Sequence, residues 1–199
     1  MTPQTLAKPL SPEAYLAQEE QAPDRHEYIQ GVIKPMAGGT PIHNEISGNL
    51  YVALKLGLKK SPYRVFHVDQ RLWIPSQQIY TYPDVMVTGK PLVLQESRKD
   101  TVLNACLIAE VLSPTTKNYD RSEKFHYYRS IPEFQDYLLI EPEQLFVEHY
   151  HRQSPKQWSL TEYTTIDDVI ELEAIDSAIA LADIYEDVDL LARTTQPPN

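Results

Sequence analysis

An α/β domain with a central mixed β-sheet flanked by α-helices is the fold class that this 199-residue sequence predicts. Three observations carry that prediction. Ile42, Ile46, Leu50, Ala53, Leu54 and Leu58 form one helical stripe with polar residues opposite. Short apolar runs between Tyr63 and Leu112 read as strands, the most apolar of them Ala105 to Leu112. Helix and strand signals then alternate without repeats, and hydrophobic residues make up 42% of the chain, enough for a single core.

In chain order, Ser11-Pro12-Glu13 opens a helix, with Ser as N-cap and Pro at the first helical position, running to about Glu20. Arg25 to Met36 reads as a hairpin turning at Gln30-Gly31. The helical stripe follows, from Ile42 to Lys60. Tyr63 to Ile74 and Gln78 to Thr88 each read as one strand, and Ala105 to Leu112 as a third. Asp120-Arg121-Ser122-Glu123 has the form of an N-cap with a capping-box glutamate, which predicts a helix to about Ser130. Extra antiparallel strands come toward the C-terminus: Gln135 to Ile140, Leu145 to His151 and Gln157 to Tyr163. Val169 to Leu191 holds a short strand and a last helix from about Leu181. Residues 10–192 are expected to form a single domain, with flexible ends at 1–9 and 193–199.

Composition narrows the function classes. No apolar run approaches the roughly 20 residues that cross a bilayer, and the first residues lack the apolar stretch of a signal peptide. No membrane association is expected. One cysteine, Cys106, leaves no internal disulfide and no thiolate zinc site. A cytoplasmic location is the expectation. The 18 basic and 28 acidic residues give a formal charge of −10. Phosphate neutralisation supplies most of the affinity of a dedicated nucleic-acid binder, so this balance argues against tight metal-free binding to DNA. It leaves room for an enzyme that engages phosphates through a divalent ion.

Two carboxylates stand out. Tyr82-Pro83-Asp84-Val85-Met86-Val87 and Leu107-Ile108-Ala109-Glu110-Val111-Leu112 each place one acid in an apolar run. Such a group is costly to bury unless paired, hydrogen-bonded or bound to a cation. Strand alternation puts Asp84 on the face of Met86, and Glu110 on the face of Ile108 and Leu112. Two carboxylates with several waters suit Mg²⁺, with Mn²⁺ as a substitute. Such an ion activates water and polarises a phosphoryl oxygen. Lys124 shares a helix face with Arg121, Phe125 and Tyr128, from whose margin it can reach Glu110.

Tyr-Pro-Asp-Val, then Glu-Val-Leu-Ser-Pro-Thr-Thr, then Asp120 and Lys124 four residues apart with Tyr127-Tyr128, and the Tyr137-Leu-Leu-Ile strand occur in a recognisable order. So do Glu27-Tyr28-Ile29-Gln30-Gly31-Val32-Ile33 and His43 upstream. Over roughly residues 10 to 190 the chain resembles the Uma-two family of restriction-endonuclease-like proteins, and through it the PD-(D/E)XK nuclease superfamily. The resemblance implies a restriction-endonuclease-like fold and a Mg²⁺-dependent endonuclease acting on DNA. It implies Asp84 and Glu110 as catalytic metal ligands, Glu27 as an additional acidic ligand, and Lys124 as a displaced catalytic lysine. Leu112 stands where the superfamily pattern has that lysine. A homodimer fits the same picture, since a second acidic chain helps to frame a DNA-sized groove. The alternative is a non-catalytic binding or assembly protein on a nuclease fold; a phosphoesterase of RNA or nucleotides is a third.

Other residues have plainer readings. Asp120 is expected as a helix cap, His43 as a capping or packing residue, and Ser113 and Thr115 as turn-formers. His149 and His151 share a strand face and could chelate a metal. The following strand supplies no third ligand, so an exposed hairpin is expected there. The 13 tyrosines are dispersed and suit strand packing.

Overall fold

The computed structural model describes residues 9–36 and 38–190. Residues 1–8 and 193–199, expected to be flexible, lie outside the described set. The chain runs through α1 (Pro12–Glu19), β1 (His26–Ile29), β2 (Val32–Pro35), α2 (Pro41–Gly57), β3 (Tyr63–His67), β4 (Arg71–Ile74), β5 (Ile79–Thr81) and β6 (Val85–Gly89). There follow β7 (Thr101–Val102), β8 (Ala105–Val111), α3 (Lys117–Tyr119), a π-helical turn (Asp120–Lys124) and α4 (Phe125–Tyr128). The chain closes with β9 (Asp136–Ile140), β10 (Val147–Ser154), β11 (Gln157–Tyr163), β12 (Val169–Leu172), β13 (Ser177–Ala180) and α5 (Leu181–Ile184).

Local chemistry sets the element ends. Ser11 Oγ accepts from the Ala14 amide at 3.2 Å and Thr40 Oγ1 from the His43 amide at 3.2 Å, so each of the two longer helices has a side-chain cap followed by proline. The β1–β2 turn needs positive φ at both central residues, +50° at Gln30 and +95° at Gly31. At Gly31 a Cβ would also come within 2.5 Å of the Pro9 side chain.

The mixed α/β class holds, with more sheets than the single one expected. The main sheet has six strands in the order β11-β10-β9-β8-β6-β3, parallel only between β8 and β9. A second, five-stranded sheet runs β2-β1-β5-β4-β7, and β12 pairs with β13 alone. The stretch 63–74, expected as one strand, is two. Val68 adopts φ +52° and carries the chain from β3 in the main sheet to β4 in the second. The stretch 78–88 likewise splits, at Pro83, into β5 and β6 in different sheets. Proline has no amide to extend the ladder. The terminal helix is only the single turn α5, preceded by two strands rather than one.

Both faces of the main sheet are covered, which explains why β8 is buried along its whole length. On one face Val85, Val87, Leu107, Ala109 and Leu138 pack against Ile46, Leu50 and Leu54 of α2 and against Ile170, Ile179 and Ile184. On the other, Met86, Ile108, Tyr137 and Leu139 meet Leu72, Ile74 and Ile79 of the second sheet, together with Phe125 and Tyr128. The second sheet's far side is closed by a tyrosine cluster, Tyr15, Tyr28 and Tyr80, under α1. No helix among the described residues is long and apolar enough to cross a membrane.

Candidate active site

The antiparallel register Val85↔Ala109 of β6 and β8, carried one step further, sets Asp84 opposite Glu110. Asp84 alternates with Met86 and Glu110 with Ile108 and Leu112, and the structure turns both of those faces toward the second sheet and the helical segment. Asp84 lies just outside β6, and its Oδ2 accepts from the Val111 amide at 2.8 Å. This bond fastens the start of one strand to the end of the next. The same oxygen is 3.2 Å from His43 Nε2 of α2. Burial lowers the basicity of His43, but the bond to Asp84 and the charges of Asp84 and Glu110 outweigh it and raise its pKa.

Glu110 is 3% exposed. Its Oε1 accepts from Tyr128 Oη at 2.7 Å and lies 3.0 Å from Lys124 Nζ. Burial pushes the Glu110 pKa above the usual carboxylate range, against the pull of Lys124, and Asp84 and Asp120 push it the same way. Lys124, 9% exposed, also lies 3.4 Å from Asp120 Oδ1 and 3.9 Å from Glu27 Oε1. Burial disfavours its charge, yet Glu110, Glu27 and Asp120 hold it protonated well above the ordinary lysine value. Glu27 arrives from the second sheet, where it also accepts a short hydrogen bond from Thr81 Oγ1 on β5.

Asp120 is not a helix cap. The helix starts at Lys117, and the five-residue π turn Asp120–Lys124 interrupts it. Asp120 and Lys124 therefore sit inside the segment and are both buried. π-bulges gather at functional sites because the extra residue re-aims side chains. Arg121 anchors this turn from outside, with Nε donating to Glu148 at 2.7 Å and Nη2 to Glu141 at 2.8 Å. Asp120 was not anticipated in the site. Its i,i+4 spacing to Lys124 was the available signal.

The expected metal ligands thus share one region, with Asp84 and Glu110 at adjacent strand positions and Glu27 reached through Lys124. Four carboxylates, Asp84, Glu110, Asp120 and Glu27, face the Lys124 ammonium and the His43 imidazole. An excess of oxygen donors and negative charge fits a hard divalent cation.

The C-terminal strands differ from expectation. His149 and His151 do not belong to an exposed hairpin: His149 is 5% exposed and His151 half-buried. A third polar partner, Asp136, comes from the preceding strand β9, in register with His151.

Comparison with known proteins bears on this geometry. The Uma2 family profile, described as "Putative restriction endonuclease", matches residues 12–182. Two uncharacterized proteins of Synechocystis are similar. One, sll1609, is 43% identical over 78% of this chain and 88% of its own length. The other, slr1290, is 37% identical over 88% of this chain and 91% of its own. A crystal structure described as a putative nuclease of DUF820 from Anabaena variabilis shares the fold, with a TM-score of 0.70 at 18% identity. The match covers 89% of this chain and 98% of that one. A match over residues 12–182, which include the elements that carry the four acids, establishes that this protein belongs to the Uma2 family of restriction-endonuclease-like proteins.

Proposed function

We propose that this chain is a divalent-metal-dependent endonuclease that hydrolyses DNA phosphodiester bonds. The observation that carries the proposal is the cross-strand placement of Asp84 beside Glu110, with the Lys124 ammonium 3.0 Å from Glu110. Asp84 and Glu110 would hold Mg²⁺, with Mn²⁺ as a substitute and Glu27 as an additional ligand. Such an ion, when bound, supplies an activated water and polarises a phosphoryl oxygen.

The chain's own residues supply the rest. Tyr128 fixes one Glu110 oxygen by donating to it, which aims the carboxylate. Asp120 and Glu27 keep Lys124 charged and localised, ready to stabilise the negative charge that builds on a phosphoryl group. His43 braces Asp84 from the α2 side. The charge of −10 makes affinity for DNA depend on the ion and on local cations. A homodimer acting in the cytoplasm completes the proposal.

The alternative is a non-catalytic binding or assembly module. It is favoured by the engagement of Lys124 with three carboxylates, which leaves its charge already neutralised. Plasmid cleavage by purified protein separates the two. Cleavage is expected with Mg²⁺ or Mn²⁺, to stop with EDTA, and to be lost in Asp84→Ala and in Glu110→Ala. Metal-dependent cleavage that persists in both variants would sink the nuclease reading. Light scattering coupled to gel filtration tests the dimer.

A further inference from the structure

The face of the main sheet opposite Glu110 holds a second cluster of ligand-type side chains. Asp136 alternates with Leu138 and Ile140, and His149 and His151 alternate with Val147. All of these apolar residues belong to the core on the α2 side. Asp136 Oδ1 lies 2.7 Å from His149 Nε2 and 2.7 Å from His151 Nδ1. Asp136 is fully buried, and its Oδ2 has no hydrogen-bond partner among the described residues. A buried carboxylate oxygen without a partner is expensive, and a cation is the usual remedy.

We propose that Asp136, His149 and His151 form a second metal site that takes a divalent ion of the zinc class. One donor atom from each residue lies within 4.8 Å of the other two, close enough for modest side-chain adjustment to bring them round one ion. Two imidazole nitrogens and one carboxylate oxygen make a softer donor set than the oxygen-rich cluster around Glu110. That set suits Zn²⁺, Fe²⁺ or Co²⁺ over Mg²⁺. Tetrahedral binding at about 2.0–2.1 Å spaces donors about 3.4 Å apart, so Asp136 would draw back from each histidine by less than about 1 Å from the present 2.7 Å. Cys106 stays outside the set: its Sγ donates to the Val87 carbonyl at 3.3 Å, and burial pushes its pKa up to about 12. Three protein ligands would leave a fourth position for water or another donor. The ion would pin β9 to β10 independently of the proposed nuclease chemistry.

Cobalt provides the test, since its ligand-field bands report coordination directly in the intact wild-type protein. Untagged, EDTA-stripped chain titrated with Co²⁺ should develop visible bands that Zn²⁺ abolishes. The bands should persist in Asp84→Ala, because Asp84 is not among the three proposed ligands. They should weaken in affinity by more than about tenfold in His151→Gln, a variant at the more exposed ligand whose folding is checked by circular dichroism. Absence of bands in the wild type overturns the site without reliance on any variant. Bands of unchanged affinity in His151→Gln, or bands lost in Asp84→Ala, overturn it as well.

Discussion

Lys124 is the residue on which the candidate site turns. Its ammonium is shared among Glu110, Asp120 and Glu27, all within 3.9 Å, in a region nearly closed to water. Removing one member of a buried ion pair typically costs about 3–5 kcal/mol because the partner charge is stranded. Lys124→Ala should therefore lower the unfolding free energy by about 3 kcal/mol in urea titrations. Lys124→Ala/Glu110→Gln should recover a substantial part of that loss, because the stranded carboxylate is gone. Strictly additive effects would show that the two side chains are not coupled. At this scale Asp84 and Glu110 were legible in the sequence, since a charge in an apolar run is visible without coordinates. Glu27 and Asp120 were less so. Glu27 stands in an ordinary hairpin, and Asp120 imitates a helix cap.

Among the elements, the π turn is the least regular and the most consequential. Asp120–Lys124 replaces the capped helix start that the sequence predicts, and the helix begins at Lys117 instead. Arg121 holds the turn to Glu148 on β10 and to Glu141 just beyond β9. Arg121→Gln should speed amide hydrogen exchange across residues 117–128 while leaving β8 and β9 protected. Unchanged exchange there would mean that packing by Phe125 and Tyr128 alone holds the segment. The two split strands teach a related lesson. Periodicity located the apolar residues of 63–74 and 78–88, but it cannot tell one strand from two that leave for different sheets. Val68 and Pro83 make those breaks, and only Pro83 advertises itself in the sequence.

For the molecule as a whole, the sheets must stay docked, and the long connection between β6 and β8 is tied back to α1 by charge. Arg98 reaches Glu20 at 2.6 Å and Asp100 at 2.6 Å. The bond from Arg98, opposed by burial and helped by Thr101, lowers the Asp100 pKa from 3.8 to about 2. A carboxyl whose pKa falls on folding stabilises the folded state above its unfolded value, and that contribution is lost as pH drops through about 2. Wild type should thus exceed Asp100→Asn in thermal stability at pH 7. The gap should stay below about 1 kcal/mol, since the carboxylate is half exposed. It should close between pH 4 and 2. A gap that widens on acidification would contradict the assignment.

The sequence by itself determined the mixed α/β class, most element positions, the family, and the two acids whose place in apolar runs demands a partner. These are consequences of local periodicity and of the cost of burying charge, both written in order along the chain. The tertiary structure alone decided that Asp84 and Glu110 lie side by side, because cross-strand register is set by pairing between distant segments. It alone brought Glu27 to Lys124 through a second sheet, and Asp136 to His149 and His151 across a strand boundary. A strand's partner depends on how whole faces pack against one another, and no local pattern carries that information.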